Sequence, residues 1–344
     1  MSRALVLGGT GLIGRAVARR LLDAGWQVDL AARDAARMPA GLAADGARFV
    51  TVDRDDPASL AGALGPGADL VVDCLCYTAA QARLLLPLLK DTACGVMISA
   101  RGVYADAFGN HVNSDVAPVF TGPVPETQAT VPPGDGDYRT REGYGANKVA
   151  AEHVLLDSGL PVTVLRPSQV HGEGGDRPRE WVFVKRALDR RPAVLLAHRG
   201  ARPVHLTGAA NLAALVETVA ARPAARVLNC ADPDAPTGLD VVRLVAARLG
   251  HRWREVLLDG DHDGLGHHPW NTPYPLRLDM SAAEALGYVP AGDYAALAGV
   301  AIDRLAAAAR PGAAGHVLPG ADEEYFAPLL DYAAEDRYLA GRTP

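Results

Sequence analysis

Two side chains that could carry acid–base chemistry, Tyr144 and Lys148, lie four residues apart. On a helix this spacing puts them on one face, one turn apart. An ammonium about 4 Å from a phenol is worth about 4 kcal/mol at an effective dielectric near 20, enough to move a tyrosine pKa from about 10 toward 7. Such a phenol is a general acid or base at neutral pH. We therefore predict that Tyr144 exchanges a proton with substrate, with a chance pair on a surface helix as the alternative.

A glycine-rich segment near the start of the chain has the sequence of a phosphate-binding turn. The apolar run Ala4–Leu7 predicts a strand, Gly8–Gly14 follows it, and helical spacing comes next. Gly11 lets the backbone approach phosphates, and Gly14 lets the helix pack close to the sheet. The free N–H groups of a helix N-terminus then attract a pyrophosphate. We predict a bound dinucleotide, held by Gly8, Thr10, Gly11, Leu12, Ile13 and Gly14.

The choice of dinucleotide depends on the end of the second predicted strand, Val28–Ala32. An acid there binds the ribose 2′-hydroxyl of NAD, whereas an arginine binds the 2′-phosphate of NADP. Ala32 fills the acid position and Arg33 follows it, while Asp34 comes one residue later and is expected to start the next helix. NADP(H) is therefore the expected cofactor, with NAD(H) possible. Asp53, after the third strand, could accept a hydrogen bond from the adenine amino group or be a turn residue.

Short apolar runs alternate with helical patterns along the first 100 residues, which predicts βαβ units and a Rossmann-like, doubly wound parallel sheet. From about Ala105 to Gly143 the chain is rich in Gly, Pro, Asp and Thr, and a loop that long is usually functional or mobile. We expect a dinucleotide-binding domain over residues 1–170, with later segments returning to it. Residues 171–344 are then mainly a substrate-binding region with C-terminal helices, the last of them near Asp322–Tyr338.

Composition limits the partners that the chain can have. The net charge of −6 and the pI of about 5.9 argue against nucleic acid, which usually requires a basic surface. No run reaches the roughly 20 apolar residues of a membrane span, so we expect a soluble, cytoplasmic protein that acts on a small molecule. The four cysteines are most simply buried free thiols. Asp261–Asp263 and His267–His268 lie in a glycine-rich loop without a periodic scaffold, and no metal site is predicted there.

Four motifs resemble, in their order along the chain, those of the extended short-chain dehydrogenase/reductases, also called NAD-dependent epimerase/dehydratase proteins. The motifs are Leu7–Gly14, Ile98–Tyr104, Tyr144–Lys148 and Arg166–Gly172. The resemblance covers roughly residues 3–310 and implies a Rossmann-like domain followed by a smaller substrate region. It also implies a catalytic pair at Tyr144 and Lys148, with Lys148 holding the nicotinamide ribose and the Pro167–Ser168 backbone beside the nicotinamide. A homodimer formed through helices near Ala79–Lys90 and Tyr144–Leu156 is a further implication.

The sequence departs from the family at the third catalytic group, which is a serine or threonine. Ala100 occupies that position, and Ser99 lies one residue earlier, where a strand would point it the other way. Either a bulge re-aims Ser99, or the group is absent, at a cost of about 2.7–4 kcal/mol of transition-state stabilisation. The asparagine that nucleotide-sugar members commonly carry near Ser168 or Gln169 is also missing, which makes such a substrate less expected.

These observations predict an NADP(H)-dependent oxidoreductase that reduces a carbonyl of a small organic molecule, with Tyr144 as proton donor. An epimerase or dehydratase with an internally recycled cofactor is one alternative. A non-catalytic protein that senses NADP(H), or binds RNA or a partner, is another, and Ala100 keeps it open. Ser99 is included as the third catalytic residue. Further predicted contacts are, for the cofactor, Arg54, Leu75, Lys148, Pro167 and Ser168, and, for the substrate, Tyr104, His171 and Arg202.

Overall fold

The computed structural model describes residues 2–175, 177–271 and 274–341. The strands in this part of the chain are β1 Arg3–Leu7, β2 Gln27–Ala32, β3 Arg48–Thr51, β4 Leu70–Asp73, β5 Cys94–Ile98, β6 Val162–Pro167, β7 Gln169–His171, β8 Ala193–Leu196, β9 Leu206–Gly208, β10 Arg226–Cys230 and β11 Arg254–Leu257. The helices are α1 Leu12–Asp23, α2 Ala40–Ala44, α3 Pro57–Leu64, α4 Ala79–Leu89, α5 Arg141–Leu156, α6 Trp181–Leu188, α7 Ala209–Ala220, α8 Gly238–Arg248, α9 Ser281–Ala285, α10 Tyr294–Ala308, α11 Glu323–Phe326 and α12 Tyr332–Ala340.

The first of two compact units contains a seven-stranded sheet in the order β10-β6-β5-β4-β1-β2-β3. It comprises Met1–Val170, Leu206–Asp232 and Leu276–Ala291. All neighbouring strands are parallel. Alternate side chains of β1 enter two different apolar clusters, one built with α1 and α7 and the other with α3, α4 and α5. A strand buried on both faces needs such a continuous apolar run. The predicted Rossmann-like, doubly wound fold is confirmed.

The helix that carries the predicted catalytic pair, α5, begins one turn earlier than the apolar pattern suggests. Thr140 caps it, because its hydroxyl accepts a hydrogen bond of 3.0 Å from the Gly143 N–H. Asn147, in the middle of the motif, donates to the Gly136 carbonyl at 2.7 Å and so fixes the preceding loop to the helix. The long segment before α5 is therefore attached to the same helix that carries Tyr144 and Lys148.

The second compact unit comprises His171–His205, Pro233–Pro275 and Gly292–Pro344. Helices α6, α8 and α10 pack on one another, and β8 pairs with β11 in parallel. The prediction of one helix near Asp322–Tyr338 is wrong, because the structure has α11 and α12 with a 3-10 turn between them. Pro328 lies in that turn, and its missing N–H interrupts a helix. Of the helices described, none has both the length and the apolar character needed to cross a bilayer.

Candidate functional site

The glycine turn between β1 and α1 has the backbone of a phosphate cradle. Gly8 has φ +77°, and a Cβ on Gly14 would lie 2.6 Å from the Gly9 Cα, so a side chain is excluded there. Gly11 is the N-cap of α1 and has no side chain to satisfy the helix N–H groups, which leaves them available to a pyrophosphate. Leu75 lies beside the turn, 2.9 Å from where a Cβ on Gly8 would be. The same segment carries the other predicted contacts, Thr10, Leu12 and Ile13.

Basic side chains gather beside this turn at the end of β2. Arg33 is exposed and, among the residues the structure describes, forms no ion pair. Asp34 caps the next 3-10 turn by accepting a 2.9 Å hydrogen bond from the Ala36 N–H, as the sequence predicts. Burial, followed by the nearby charge of Arg37, lowers the pKa of Arg15 on α1. Arg15 and Arg37 thus lie close enough to affect each other electrostatically, and the preference for NADP(H) stays a prediction.

The two predicted cofactor contacts after β3 have other roles in the structure. The Asp53 carboxylate accepts a 3.0 Å hydrogen bond from the Asp55 N–H, which matches its alternative reading as a turn residue. Arg54 is buried, forms a 2.6 Å ion pair with Asp73 and donates to the Gln81 carbonyl at 2.9 Å. Arg54 thus holds the end of β4 through Asp73, and its predicted contact with cofactor stays a prediction.

Lys148 lies on α5 one turn after Tyr144 and is almost fully buried. Its Nζ donates to the backbone carbonyls of Cys76 at 2.8 Å and of Ile98 at 2.9 Å. The same ammonium lies 4.2 Å from the centre of the Tyr77 ring. Two carbonyls and one aromatic face thus surround the charge, and they place it at the ends of β4 and β5.

The structure corrects the expectation that Lys148 lowers the pKa of Tyr144. Burial, and after it the neighbouring Tyr77, raises the pKa of Tyr144 to about 12. The Lys148 ammonium is held by the two backbone carbonyls, and its charge does not offset this burial. Tyr144 is therefore protonated at neutral pH, which suits a proton donor.

The Ser99 hydroxyl bonds to Glu152 and does not take the catalytic role predicted for it. The chain stays extended through Ser99 and Ala100, with the Ser99 N–H donating 2.7 Å to the Leu165 carbonyl. The Ser99 hydroxyl donates to Glu152, which forms a buried ion pair of 2.5 Å with Arg166. No bulge re-aims Ser99, so the prediction of Ser99 as a catalytic residue is wrong.

Tyr104 was predicted to contact substrate, but its side chain is fully buried. Its hydroxyl donates 2.6 Å to the Asn229 Oδ1, and the Arg166 guanidinium lies 4.8 Å from its ring centre. Burial raises the pKa of Tyr104 to about 12. The prediction is therefore wrong, and Tyr104 belongs to the interior network that contains Glu152.

Neither Ala100 nor Gly102, which follow β5, has a polar side-chain atom. A Cβ on Gly102 would lie 3.7 Å from two Tyr144 ring carbons and 3.9 Å from the Asn113 Nδ2. A side chain at position 102 would therefore lie in contact with the Tyr144 ring and the Asn113 amide.

Adding the missing hydroxyl is expected to increase activity. The variant Ala100→Ser should raise kcat about 10-fold, because an added donor can stabilise the developing charge on substrate oxygen. Steady-state kinetics would measure this, with Ser99→Ala as the control, since that hydroxyl is committed to Glu152. Equal kcat values for Ala100→Ser and the unchanged protein would show that position 100 does not face the reacting oxygen.

Pro167 and Ser168 lie at the end of β6, in the first unit. The Ser168 N–H contacts the Cys230 carbonyl at 3.2 Å and the Thr207 Oγ1 at 2.9 Å. The backbone here is thus fixed by β10 and β9, and its predicted place beside the nicotinamide stays a prediction.

Two predicted substrate contacts belong to the second unit. The His171 ring lies 4.9 Å from the Tyr294 ring, and Arg202 lines a small cavity with His268 and Trp270. Their role toward substrate stays a prediction. Within the described residues, no three His, Cys, Asp or Glu side chains come together as a metal site would require.

Comparison with known proteins gives the family. A family model described as NAD(P)H-binding matches residues 8–189. The chain belongs to this NAD(P)H-binding family. No curated protein matches the sequence significantly.

Solved structures similar to this NAD(P)H-binding protein include epimerases and a dehydratase. A dTDP-glucose 4,6-dehydratase from Bacillus anthracis in complex with NAD has a TM-score of 0.69 at 15% identity, covering 96% of this chain and 100% of its own. A UDP-N-acetylglucosamine 4-epimerase from Bacillus cereus has a TM-score of 0.68 at 17% sequence identity, and the match covers 89% of this chain and 100% of the epimerase. The UDP-glucose 4-epimerase of Thermus thermophilus, in complex with NAD, has a TM-score of 0.64 at 18% sequence identity. The match covers 88% of this chain and 98% of the epimerase. The fold is that of these epimerases and this dehydratase, which is the Rossmann-like fold that the motifs predict.

Sequence reasoning missed three side chains that shape the site of this NAD(P)H-binding protein. Asp73 pairs with Arg54 and also accepts a 2.8 Å hydrogen bond from the Leu75 N–H, which shapes the loop after β4. Glu152 lies one turn beyond Lys148 on α5, a spacing that could have flagged it. Tyr77 lies four residues after the end of β4, at the edge of the sheet where the carboxyl ends of parallel strands meet ligands.

Proposed function

We propose that this protein is an NADP(H)-dependent reductase of a carbonyl in a small organic molecule. The observation that carries the proposal is that Tyr144, protonated at neutral pH, lies on α5 one turn before Lys148, whose ammonium is buried at the ends of β4 and β5. Reduction requires a proton donor beside the carbonyl oxygen, and a tyrosine whose pKa is raised remains a donor throughout the neutral range.

The pyrophosphate and the 2′-phosphate of the cofactor would each bind at residues whose backbone or charge fits them. The glycine cradle of Gly8–Gly14 fits the pyrophosphate, because its close backbone packing excludes side chains there. Arg33, with Arg15 and Arg37 nearby, suits a 2′-phosphate. When bound, the dinucleotide supplies a hydride to the carbonyl carbon. Tyr144 would give its phenolic proton to the oxygen, which completes the alcohol, and would regain a proton from solvent.

An epimerase or dehydratase is the second candidate, and the similar solved structures favour it. In those activities the first step oxidises an alcohol, so the tyrosine must accept a proton. Burial keeps Tyr144 protonated at neutral pH, so little phenolate is present to accept that proton, whereas reduction begins from the protonated form. Incubation of the purified protein with NADPH and small carbonyl compounds tests the proposal, since a reductase consumes NADPH in proportion to alcohol formed. Tightly copurified dinucleotide, with product formed and no NADPH consumed, would favour the second candidate.

Cofactor preference gives a separate prediction at Arg33. We expect NADPH to raise the melting temperature more than NADH, and Arg33→Ala to weaken NADPH binding about 10-fold with little effect on NADH. The reason is that only NADPH carries the phosphate that can accept charge-assisted hydrogen bonds from a guanidinium. Calorimetric titration measures both affinities. Arg83→Ala, which removes an exposed arginine on α4, is the matched control. Stronger stabilisation by NADH than by NADPH would contradict the assignment.

A further inference from the structure

The Lys148 ammonium is enclosed by two backbone carbonyls and one aromatic ring. The carbonyls of Cys76 and Ile98 accept hydrogen bonds of 2.8 Å and 2.9 Å from its Nζ. The centre of the Tyr77 ring lies 4.2 Å from the same Nζ. An ammonium has three N–H donors, and two carbonyls and a ring face account for them. Because Lys148 is 2% exposed, a ligand can reach its charge only after one of these partners has moved.

The enclosed ammonium lies where a dinucleotide is expected to extend. In an open parallel sheet, ligands bind outside the carboxyl ends of the strands, at the point where the strand order reverses. The order reverses between β1 and β4, and the glycine turn follows β1. A dinucleotide with its pyrophosphate on that turn and its 2′-phosphate at the end of β2 extends over the ends of β4 and β5. Tyr77 covers the ammonium at this place.

The second face of the Tyr77 ring is covered as well. The Tyr77 and Tyr138 rings stack with centroids 5.0 Å apart and planes inclined by 19°. The Arg139 guanidinium lies 4.7 Å from the centre of the Tyr138 ring. The loop before α5 is attached to that helix, because Asn147 donates 2.7 Å to the Gly136 carbonyl. The Tyr77 ring is therefore held between the Lys148 charge and a ring whose loop is fixed to α5.

Of the three partners of Lys148, the Tyr77 side chain is the one that can move without breaking the backbone. The Tyr77 N–H donates 2.8 Å to the Gln81 Oε1, and the Gln81 N–H donates 3.2 Å to the Thr78 hydroxyl at the start of α4. These bonds hold the backbone and leave the side-chain torsions of Tyr77 free. The ring is half-buried, so one part of it already borders solvent. Rotation of the side chain would uncover the ammonium.

We propose that Tyr77 is a gate over Lys148, which turns out from between Lys148 and Tyr138 when a dinucleotide binds, so that the nicotinamide ribose hydroxyls take its place on the ammonium. This rests on the proposed function and adds a conformational step to the same site. A protein whose binding-competent form is a fraction of the population binds its ligand more weakly by that fraction. The closed gate therefore lowers the affinity for the whole dinucleotide and leaves the affinity for its adenosine half unchanged.

The test compares the binding of NADPH with that of adenosine 2′,5′-bisphosphate, which lacks the nicotinamide ribose. Calorimetric titration of the full chain measures both dissociation constants. Tyr77→Ala is expected to bind NADPH about 3- to 10-fold more tightly, because the open form then needs no rotation of the ring. Its affinity for the bisphosphate should not change. Tyr77→Phe keeps the ring on the ammonium and should bind both ligands as the unchanged protein does.

A second variant serves if Tyr77→Ala does not fold. Tyr138→Leu removes the ring that stacks on Tyr77 and lies in the loop before α5. It should also tighten the binding of NADPH, because the open form then loses less contact. No gain in NADPH affinity in Tyr138→Leu would overturn the gate in that case.

The outcomes separate the gate from the function on which it rests. Equal or weaker NADPH binding by Tyr77→Ala would overturn the gate, as would the same change for both ligands, since the effect would then lie outside the nicotinamide half. These measurements use binding alone, so a failure to reduce any carbonyl would overturn the proposed function and leave the gate standing. If neither NADPH nor NADH binds to any variant, both the gate and the proposed function are overturned.

Discussion

Replacing Tyr144 by phenylalanine is expected to lower kcat for carbonyl reduction by about 10²–10⁴-fold, the range that a positioned general acid contributes. The variant keeps the ring and its contacts with Gly102 and Tyr77, and it removes only the hydroxyl that gives the proton. Because the phosphate cradle and Arg33 are untouched, NADPH binding should be nearly unchanged. Single-turnover kinetics with saturating NADPH measures the chemical step, and calorimetry measures cofactor affinity on the same sample.

The pH dependence of the unchanged protein is the companion measurement. Burial raises the pKa of Tyr144 to about 12, so the active, protonated form persists across the neutral range. Activity in the reduction direction should be lost only as the pH rises toward that pKa. A loss of activity with a midpoint near 7 would mean that Lys148 lowers the pKa in the working enzyme. Turnover that survives in Tyr144→Phe would remove this residue from the mechanism.

Local sequence signals predict the fold well because each of them is set within a few residues. An apolar run that alternates between two buried faces, followed by Gly8–Gly14 and a helix, specifies β1, the turn and α1 without distant contacts. Asp34 was placed correctly as a cap for the same reason, since it contacts a backbone N–H two residues away. The prediction of a single helix near the C-terminus is wrong because Pro328 lacks a backbone N–H and interrupts the helix. The proline was visible in the sequence, but the prediction followed the apolar pattern instead.

The site was predicted less completely because its decisive contacts join distant parts of the chain. Spacing alone puts Tyr144 and Lys148 on one face of α5. Spacing does not reveal that the Lys148 ammonium is held by the carbonyls of Cys76 and Ile98, which are 72 and 50 residues away. The prediction that Lys148 lowers the pKa of Tyr144 is therefore wrong, although the two residues do lie one turn apart on α5. The prediction of Ser99 as a catalytic residue is wrong for the same reason, because its hydroxyl contacts Glu152, which is 53 residues along the chain.

The second large effect is expected for stability, at the buried ion pair between Glu152 and Arg166. The two side chains are 1% and 6% exposed, and Glu152 also accepts the Ser99 hydroxyl. Glu152→Ala leaves the Arg166 guanidinium buried without its counter-charge, and breaking such a pair costs about 3–5 kcal/mol of the free energy of unfolding. A urea titration of the full chain measures this loss.

Two variants show whether the loss comes from an uncompensated charge. The double variant Glu152→Ala with Arg166→Met removes both charges and should recover much of the stability, because apolar groups of similar size can replace a buried ion pair at little cost. Glu217→Ala breaks the ion pair with Arg20 on the protein surface, where the side chains are 32% and 46% exposed, and should cost at most about 1 kcal/mol. If Glu152→Ala were no more costly than Glu217→Ala, water would have to reach Arg166. The buried position of the pair would then add nothing to the stability that a surface ion pair gives.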